Sequence, residues 1–216
     1  MKVLVACEES QTVCKAFRAR GHEAYSCDIQ EPSGGHPEWH ILGDALGALR
    51  GGWIVTMDMQ GHDVGKWDLL IAHPPCTFLS NAGACRLYTE KGHINESRLI
   101  KGIQAKDFFM EFWYAPVDHI CIENPMPSSI YCLPRRSQEI QPYQFGDGYT
   151  KKTFLWLKGL PYLVPTKTAS ERKPYLPSCT GRKLRGASYG VAHTAKQRSK
   201  TFPGIAEAMA DQWGNL

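Results

Sequence analysis

The stretch KVLVACEESQTVCKAFRARGHEAYSCD, running from Lys2 to Asp28, decides how the rest of the chain is read. It opens on a short apolar run at residues 2–6, the pattern of a parallel strand buried on both faces. Ser10 is placed to cap a following helix that carries Val13, Ala16 and Phe17 on one face and ends near Gly21. Glu23-Ala24-Tyr25-Ser26-Cys27 reads as a second strand, terminating in Asp28. Strand, helix and strand within 27 residues form the opening unit of a doubly wound α/β sheet.

Outward from that unit, Trp67-Asp68-Leu69-Leu70-Ile71-Ala72 predicts a strand broken by Pro74-Pro75. Residues 96–114 have helical periodicity through Leu99, Ile103, Phe108, Phe109 and Phe112. His119-Ile120-Cys121-Ile122 predicts another buried strand, stopped at Asn124-Pro125, and Thr153-Phe154-Leu155-Trp156-Leu157 a further one. Residues 53–57 form a weaker strand candidate, 30–52 a loop rich in Gly, Pro and His, and 205–213 a short closing helix. The expected organisation is a catalytic core over 1–158, a basic segment over 159–200 and a C-terminal helix within 201–216 that packs back on the core.

At 216 residues the chain suffices for one well-cored domain. No apolar run approaches the roughly 20 residues of a membrane span, and the apolar run at the N-terminus is too short for a signal-peptide core. Eight cysteines are scattered without a C-x-x-C pair, which argues against a structural metal and for a reduced, cytoplasmic protein. A monomer is expected. The net charge of +4 is modest, but between Arg172 and Ala206 there is no acid while eight Lys and Arg are present. Such a stripe suits a polyanion; the alternative is a solvated basic face.

In an open α/β sheet, ligands bind outside the carboxyl ends of strands. Three predicted strand ends carry reactive groups: Asp28, the His73-Pro74-Pro75-Cys76 turn, and Glu123-Asn124-Pro125. Two prolines fix their own φ and hold the preceding residues extended, so Cys76 is presented just past its strand. A thiolate there can attack an electrophilic carbon; alone, such a cysteine is equally a structural one. Glu123 sits where burial is expected to raise its pKa, as suits a proton donor near neutral pH; alone, it could equally cap a neighbouring helix.

Together these residues resemble the cytosine carbon-5 DNA methyltransferase family, in a small, phage-like form. The family's Pro-Cys motif is matched by Pro75-Cys76, followed by Phe78 and Ser80, and its Glu-Asn-Val motif by Glu123-Asn124-Pro125. Gly43-Asp44-Ala45 resembles the motif whose Asp contacts the donor's adenine, and Asp28 matches the acid that holds the ribose. Phe202-Pro203-Gly204-Ile205 resembles the start of the family's C-terminal motif. The resemblance covers most of residues 1–158 plus the tail. It implies a Rossmann-like S-adenosylmethionine-dependent methyltransferase sheet. Cys7, Glu8, Ser10, Asp28 and Ile29, with Asp44, Ala45, His73 and Pro74, would line the methyl donor. Pro75, Ser80, Asn124 and Lys152, with Arg182, Lys183, Arg185 and Arg198 from the basic segment, would contact substrate.

The chain also departs from the family. The first loop, Ala6-Cys7-Glu8-Glu9-Ser10-Gln11, lacks the family's glycines, and Lys151-Lys152-Thr153 stands near the Arg-x-Arg motif, so Lys151 would serve as a point charge. About 40 residues, 159–200, remain for target recognition, which predicts low or short sequence specificity. The implied mechanism flips a cytosine out of duplex DNA. Cys76 adds to carbon 6, Glu123 hydrogen-bonds ring nitrogen 3, and carbon 5 takes the methyl group, leaving S-adenosylhomocysteine. The stretch from Thr77 to Asn95 would close over the base. Three alternatives stand beside this reading: amino-group methylation of DNA, a catalytically idle binding module, and a free cytosine nucleotide as substrate.

Overall fold

The computed structural model describes residues 1–84, 86–89, 91–175 and 194–216. The predicted apolar runs become β1 (Lys2–Ala6), β2 (Glu23–Asp28), β6 (Leu69–Ala72), β7 (His119–Asn124) and β10 (Thr153–Lys158). Between them lie β3 (His40–Leu42), the hairpin of β4 (Gly52–Val55) and β5 (Gly61–Gly65), β8 (Gln138–Ile140) and β9 (Tyr149–Thr150). β11 (Lys173–Pro174) pairs with β9. The helices are α1 (Thr12–Arg18), α2 (Ala45–Ala48), α3 (Asn81–Ala84), α4 (Glu96–Trp113), α5 (Ala195–Ser199) and α6 (Pro203–Trp213).

Seven strands make one mixed sheet in the order β3-β2-β1-β6-β7-β10-β8. The first five are parallel, and β10 is antiparallel to both of its neighbours. Side chains alternate across each strand and so build two cores. Val3, Val5, Leu69, Ile71 and Leu155 pack under α1 and α6 through Phe17, Met209 and Trp213. Leu4, Leu70, Ile120, Ile122 and Trp156 pack on the other face with Phe109 and Phe112 of α4. Each such fully buried side chain contributes on the order of 1.5–3 kcal/mol. The protein is α/β, with helices on both faces of the sheet.

Some expectations change. β3 and β8 lie at the two edges of the sheet, three residues each, too short to show a period. The candidate strand at 53–57 is β4, which pairs in a separate hairpin. Ile103, expected on the inner face of α4, is 46% exposed, and Gly102 is buried instead, against Tyr131. Ser10 does not cap α1. Both carboxylate oxygens of buried Glu8 accept from that helix, from Val13 N at 2.6 Å and Cys14 N at 3.1 Å.

The described part of 159–200 is tied to the core. Leu163 is buried, and its N–H and C=O are both paired with the Gln138 side chain. Among the described residues no helix is long and apolar enough to cross a membrane. The chain runs outward from β1 to β2 and β3, then returns to place β6 on the other side of β1. That reversal opens a crevice beyond the carboxyl ends of β1 and β6.

Candidate active site

β6 and β7 are parallel neighbours with Ala72 opposite Ile122, so the next residues, His73 just past β6 and Glu123 still paired with β10 near the end of β7, stand side by side. The turn after His73 is stitched to the exit of β7. Buried Asn124 donates Nδ2 to Pro74 O at 2.8 Å, and Asn81 N donates to Met126 O at 2.8 Å. Ser80 N donates to Cys76 O at 2.9 Å, and Ser80 forms an isolated bridge with Pro127. Pro74 is buried, Pro75 exposed and Cys76 half-buried, which leaves the thiol at the rim of the crevice. Ser80, expected to touch substrate, is buried, and its Oγ accepts from Gly83 N, so it shapes the loop instead.

Charge converges on this turn. Burial pushes the Cys76 thiol up, Glu123 adds to that push, and Lys151 and Arg198 oppose it. Burial likewise pushes Glu123 up, but His73, Lys151 and the Thr153 hydroxyl outweigh it and hold the carboxyl below its ordinary range. The expected raised acid is therefore replaced by one held ionised. His73 Nδ1 lies 3.5 Å from Glu123 Oε2, their side chains 7% and 15% exposed. Facing an ionised carboxylate, Nδ1 is assigned the hydrogen, and the buried Nε2 has no hydrogen-bond partner among the described residues.

Lys151 reaches the site from the β9–β10 turn, with Nζ 5.8 Å from the Phe202 ring centroid and 3.4 Å from Lys200 O. Lys152, expected beside substrate, instead pairs with Glu139 at 3.1 Å on the surface. Arg198 lies within electrostatic reach of Cys76. Arg182, Lys183 and Arg185 lie outside the described residues.

At the ends of β1 and β2, Cys7 is surrounded by burial and by Asp28, Cys27 and Asp44, which together push its thiol far up. Asp28 accepts from Gln30 N at 2.9 Å, and Asp44 caps α2 through Leu46 N at 3.1 Å. Ala45 is buried behind it, and Ile29 is 79% exposed beside Asp28. Two carboxylates beside an open apolar side chain fit the hydroxyl and amine donors and flat base of a nucleoside.

The other end of the donor does not find the usual partner. A helix N-terminus is a ready anion site, but the carboxylate of Glu8, expected beside the donor, already fills that of α1. Ser10 is buried, 3.1 Å from the Thr12 hydroxyl. The glycine-free loop still adopts left-handed backbone at Cys7 (φ 59°) and Gln11 (φ 56°). Gln11 is locked there by bonds to Ser26 Oγ and to the N–H and C=O of His36.

No family model and no curated protein matches this sequence. Among solved structures, the chain is similar to an Escherichia coli protein described as a DNA modification methyltransferase encoded within a prophage. The two are 13% identical, over 78% of this chain and 52% of that one, with a TM-score of 0.43. It is also similar to a variant of DNMT2 from Spodoptera frugiperda, at 15% identity over 82% of this chain and 55% of that one, TM-score 0.37. The chain spans about half the length of each.

Three roles were not readable from sequence: His73 as the partner of Glu123, Thr153 as its hydroxyl donor, and Glu8 as the α1 cap. A signal existed for the first two. His73 follows the apolar run of β6, and Thr153 opens that of β10, so both are polar residues at the margin of buried strands. For Glu8 there was none, since a cap from outside the usual N-cap position depends on how the loop folds.

Proposed function

We propose that this chain is a DNA cytosine carbon-5 methyltransferase that uses S-adenosylmethionine, with Cys76 as covalent nucleophile. The observation that carries the reading is the joining of two strand exits: Cys76 and Glu123 share one electrostatic field, with Lys151 and Arg198 on the cationic side. Cys76, held at the rim by Pro74-Pro75, adds as thiolate to carbon 6 of the cytosine. Lys151 and Arg198 favour that thiolate.

Addition at carbon 6 develops negative charge on the ring, which a proton at nitrogen 3 relieves. Glu123, ionised in the resting chain, takes a proton from solvent before it donates to nitrogen 3, and His73, 3.5 Å away, orients the carboxyl. Carbon 5 is then nucleophilic. Asp28 and Asp44 would hold the donor at its nucleoside end, and when bound it would supply an electrophilic methyl on sulfur. Loss of the carbon-5 proton to solvent expels Cys76 and returns the nitrogen-3 proton to Glu123.

The deciding experiment incubates the protein and its Cys76→Ser variant with labelled donor and an oligonucleotide containing 5-fluorocytosine. A covalent adduct mapped to Cys76 and lost in the serine variant supports the reading. An adduct at Cys85, or label on an exocyclic amine of unfluorinated DNA, overturns it.

A further inference from the structure

The stretch that follows Cys76 frames, with the start of α4, a charged recess that the reaction above does not use. It encloses about 340 Å³ and is lined by Phe78, Arg86, Asn95, Ser97, Arg98 and Lys101. Two cations face one ring: the Arg98 guanidinium carbon lies 5.0 Å and Lys101 Nζ 5.9 Å from the Phe78 centroid. Arg86 is exposed at the same recess. Among the described residues no acid lines it and none of the three cations has a carboxylate within ion-pair reach; exposed Glu96, in the first turn of α4, is the nearest acid in sequence. The recess also lies at the amino end of α4, capped by Asn95 through Arg98 N, where the helix dipole adds positive potential.

Three like charges gathered at one recess with no ion pair among the described residues repel one another, and an anion in the recess would relieve that. Arg98 is the most constrained of the three. Its Nη2 donates to Thr77 O at 3.1 Å and to Gly83 O at 3.0 Å, which ties it to the residue after the nucleophile. Of its five N–H groups, those on Nε and Nη1 have no acceptor among the described residues. A planar guanidinium with free hydrogens, a second cation and an aromatic face together match a phosphate bearing an adjacent sugar and base.

We infer that the recess framed by Phe78, Arg86, Arg98 and Lys101 binds a phosphate of the polynucleotide strand that carries the target base. The inference rests on the proposed function for its ligand. It places a backbone grip within two residues of Cys76, separate from the basic segment at 172–200. Through Arg98, which holds Thr77 O and Gly83 O, phosphate binding in the recess braces the loop that presents the thiol.

The test uses the full chain and measures binding apart from chemistry. Arg86→Ala/Lys101→Ala removes two cations whose side chains make no hydrogen bond or ion pair among the described residues. Arg50→Ala/Lys66→Ala is the charge-matched control, with Lys66 before β6 at the opposite end of the sheet from Cys76. Fluorescence anisotropy with a labelled duplex oligonucleotide should give affinity about ten- to a hundredfold weaker for the first double variant. Its log K against log salt slope should be shallower by about 0.9 for one lost duplex phosphate.

Equal affinity and slope in the two double variants overturn the inference while leaving the methyltransferase reading intact. Weakened binding in a protein whose wild type forms no fluorocytosine adduct upholds the phosphate site and removes the catalytic reading. Weakened binding of deoxycytidine monophosphate, with no oligonucleotide binding in the wild type, keeps the phosphate site but overturns the polynucleotide as its source.

Discussion

His73 and Glu123 stand 3.5 Å apart at the exits of adjacent parallel strands, and their contact helps reverse what burial alone does to the acid. Because Glu123 is held below its ordinary value, its ionised form stabilises the fold above the ordinary carboxylate pKa, near 4.3. That contribution is lost as pH falls through the depressed native value. His73→Leu removes one of the opposing influences. Its stability deficit against wild type should therefore be present at neutral pH and shrink on acidification below about pH 4. Denaturant unfolding at both pH values checks the sign, and a gap that widens in acid would count against the pair. His73→Leu should also slow adduct formation with fluorocytosine DNA by about tenfold or more.

Cys76 reactivity reads the same field from the thiol side. Its pKa is raised by burial and by Glu123 and lowered by Lys151 and Arg198. Glu123→Gln removes an upward push, so at pH 8 more thiolate is present and iodoacetamide should label Cys76 faster. Lys151→Ala removes a downward pull and should slow labelling. Peptide-level mass spectrometry separates Cys76 from exposed Cys132. The opposite ordering of the two variants would place Glu123 or Lys151 away from the sulfur.

Asp28 and Glu8 flank the same loop but should respond differently to substitution. Asp28→Ala should weaken S-adenosylmethionine binding by about 1.5–3 kcal/mol, through a lost charge-assisted hydrogen bond, with little effect on folding. Glu8→Ala leaves the N-terminus of α1 uncapped and should lower stability by about 1–2 kcal/mol. Calorimetry and unfolding on both variants decide, and a donor-binding loss confined to Glu8→Ala would reverse the assignment.

The basic segment carries the fourth expectation. Arg182→Ala/Lys183→Ala/Arg185→Ala should weaken DNA binding for all sequences alike and flatten the salt dependence by about 0.9 per duplex phosphate released. Sequencing of modified DNA should show methylation at many cytosines within a very short context. A single strict site of five or six base pairs would be incompatible with phosphate gripping alone.

The strands that form the sheet centre were legible because each is a run of apolar residues buried on both faces. Lys2–Ala6 and Thr153–Lys158 emerged close to where their patterns placed them. Position at strand ends likewise pointed to Cys76, Glu123 and Asp28, since the carboxyl edge of such a sheet is where ligands bind; Asp44 was picked out by the family resemblance alone. What sequence could not carry was which side chains turn toward one another. Glu8 faces α1 rather than the donor site, Lys152 turns to Glu139, and Ser80 turns inward to Gly83. His73 meets Glu123 across 50 residues of chain. Periodicity reports which face of an element is buried; the ionisation of Glu123 depends on charges at a few ångströms, and only the packed sheet brings those charges together.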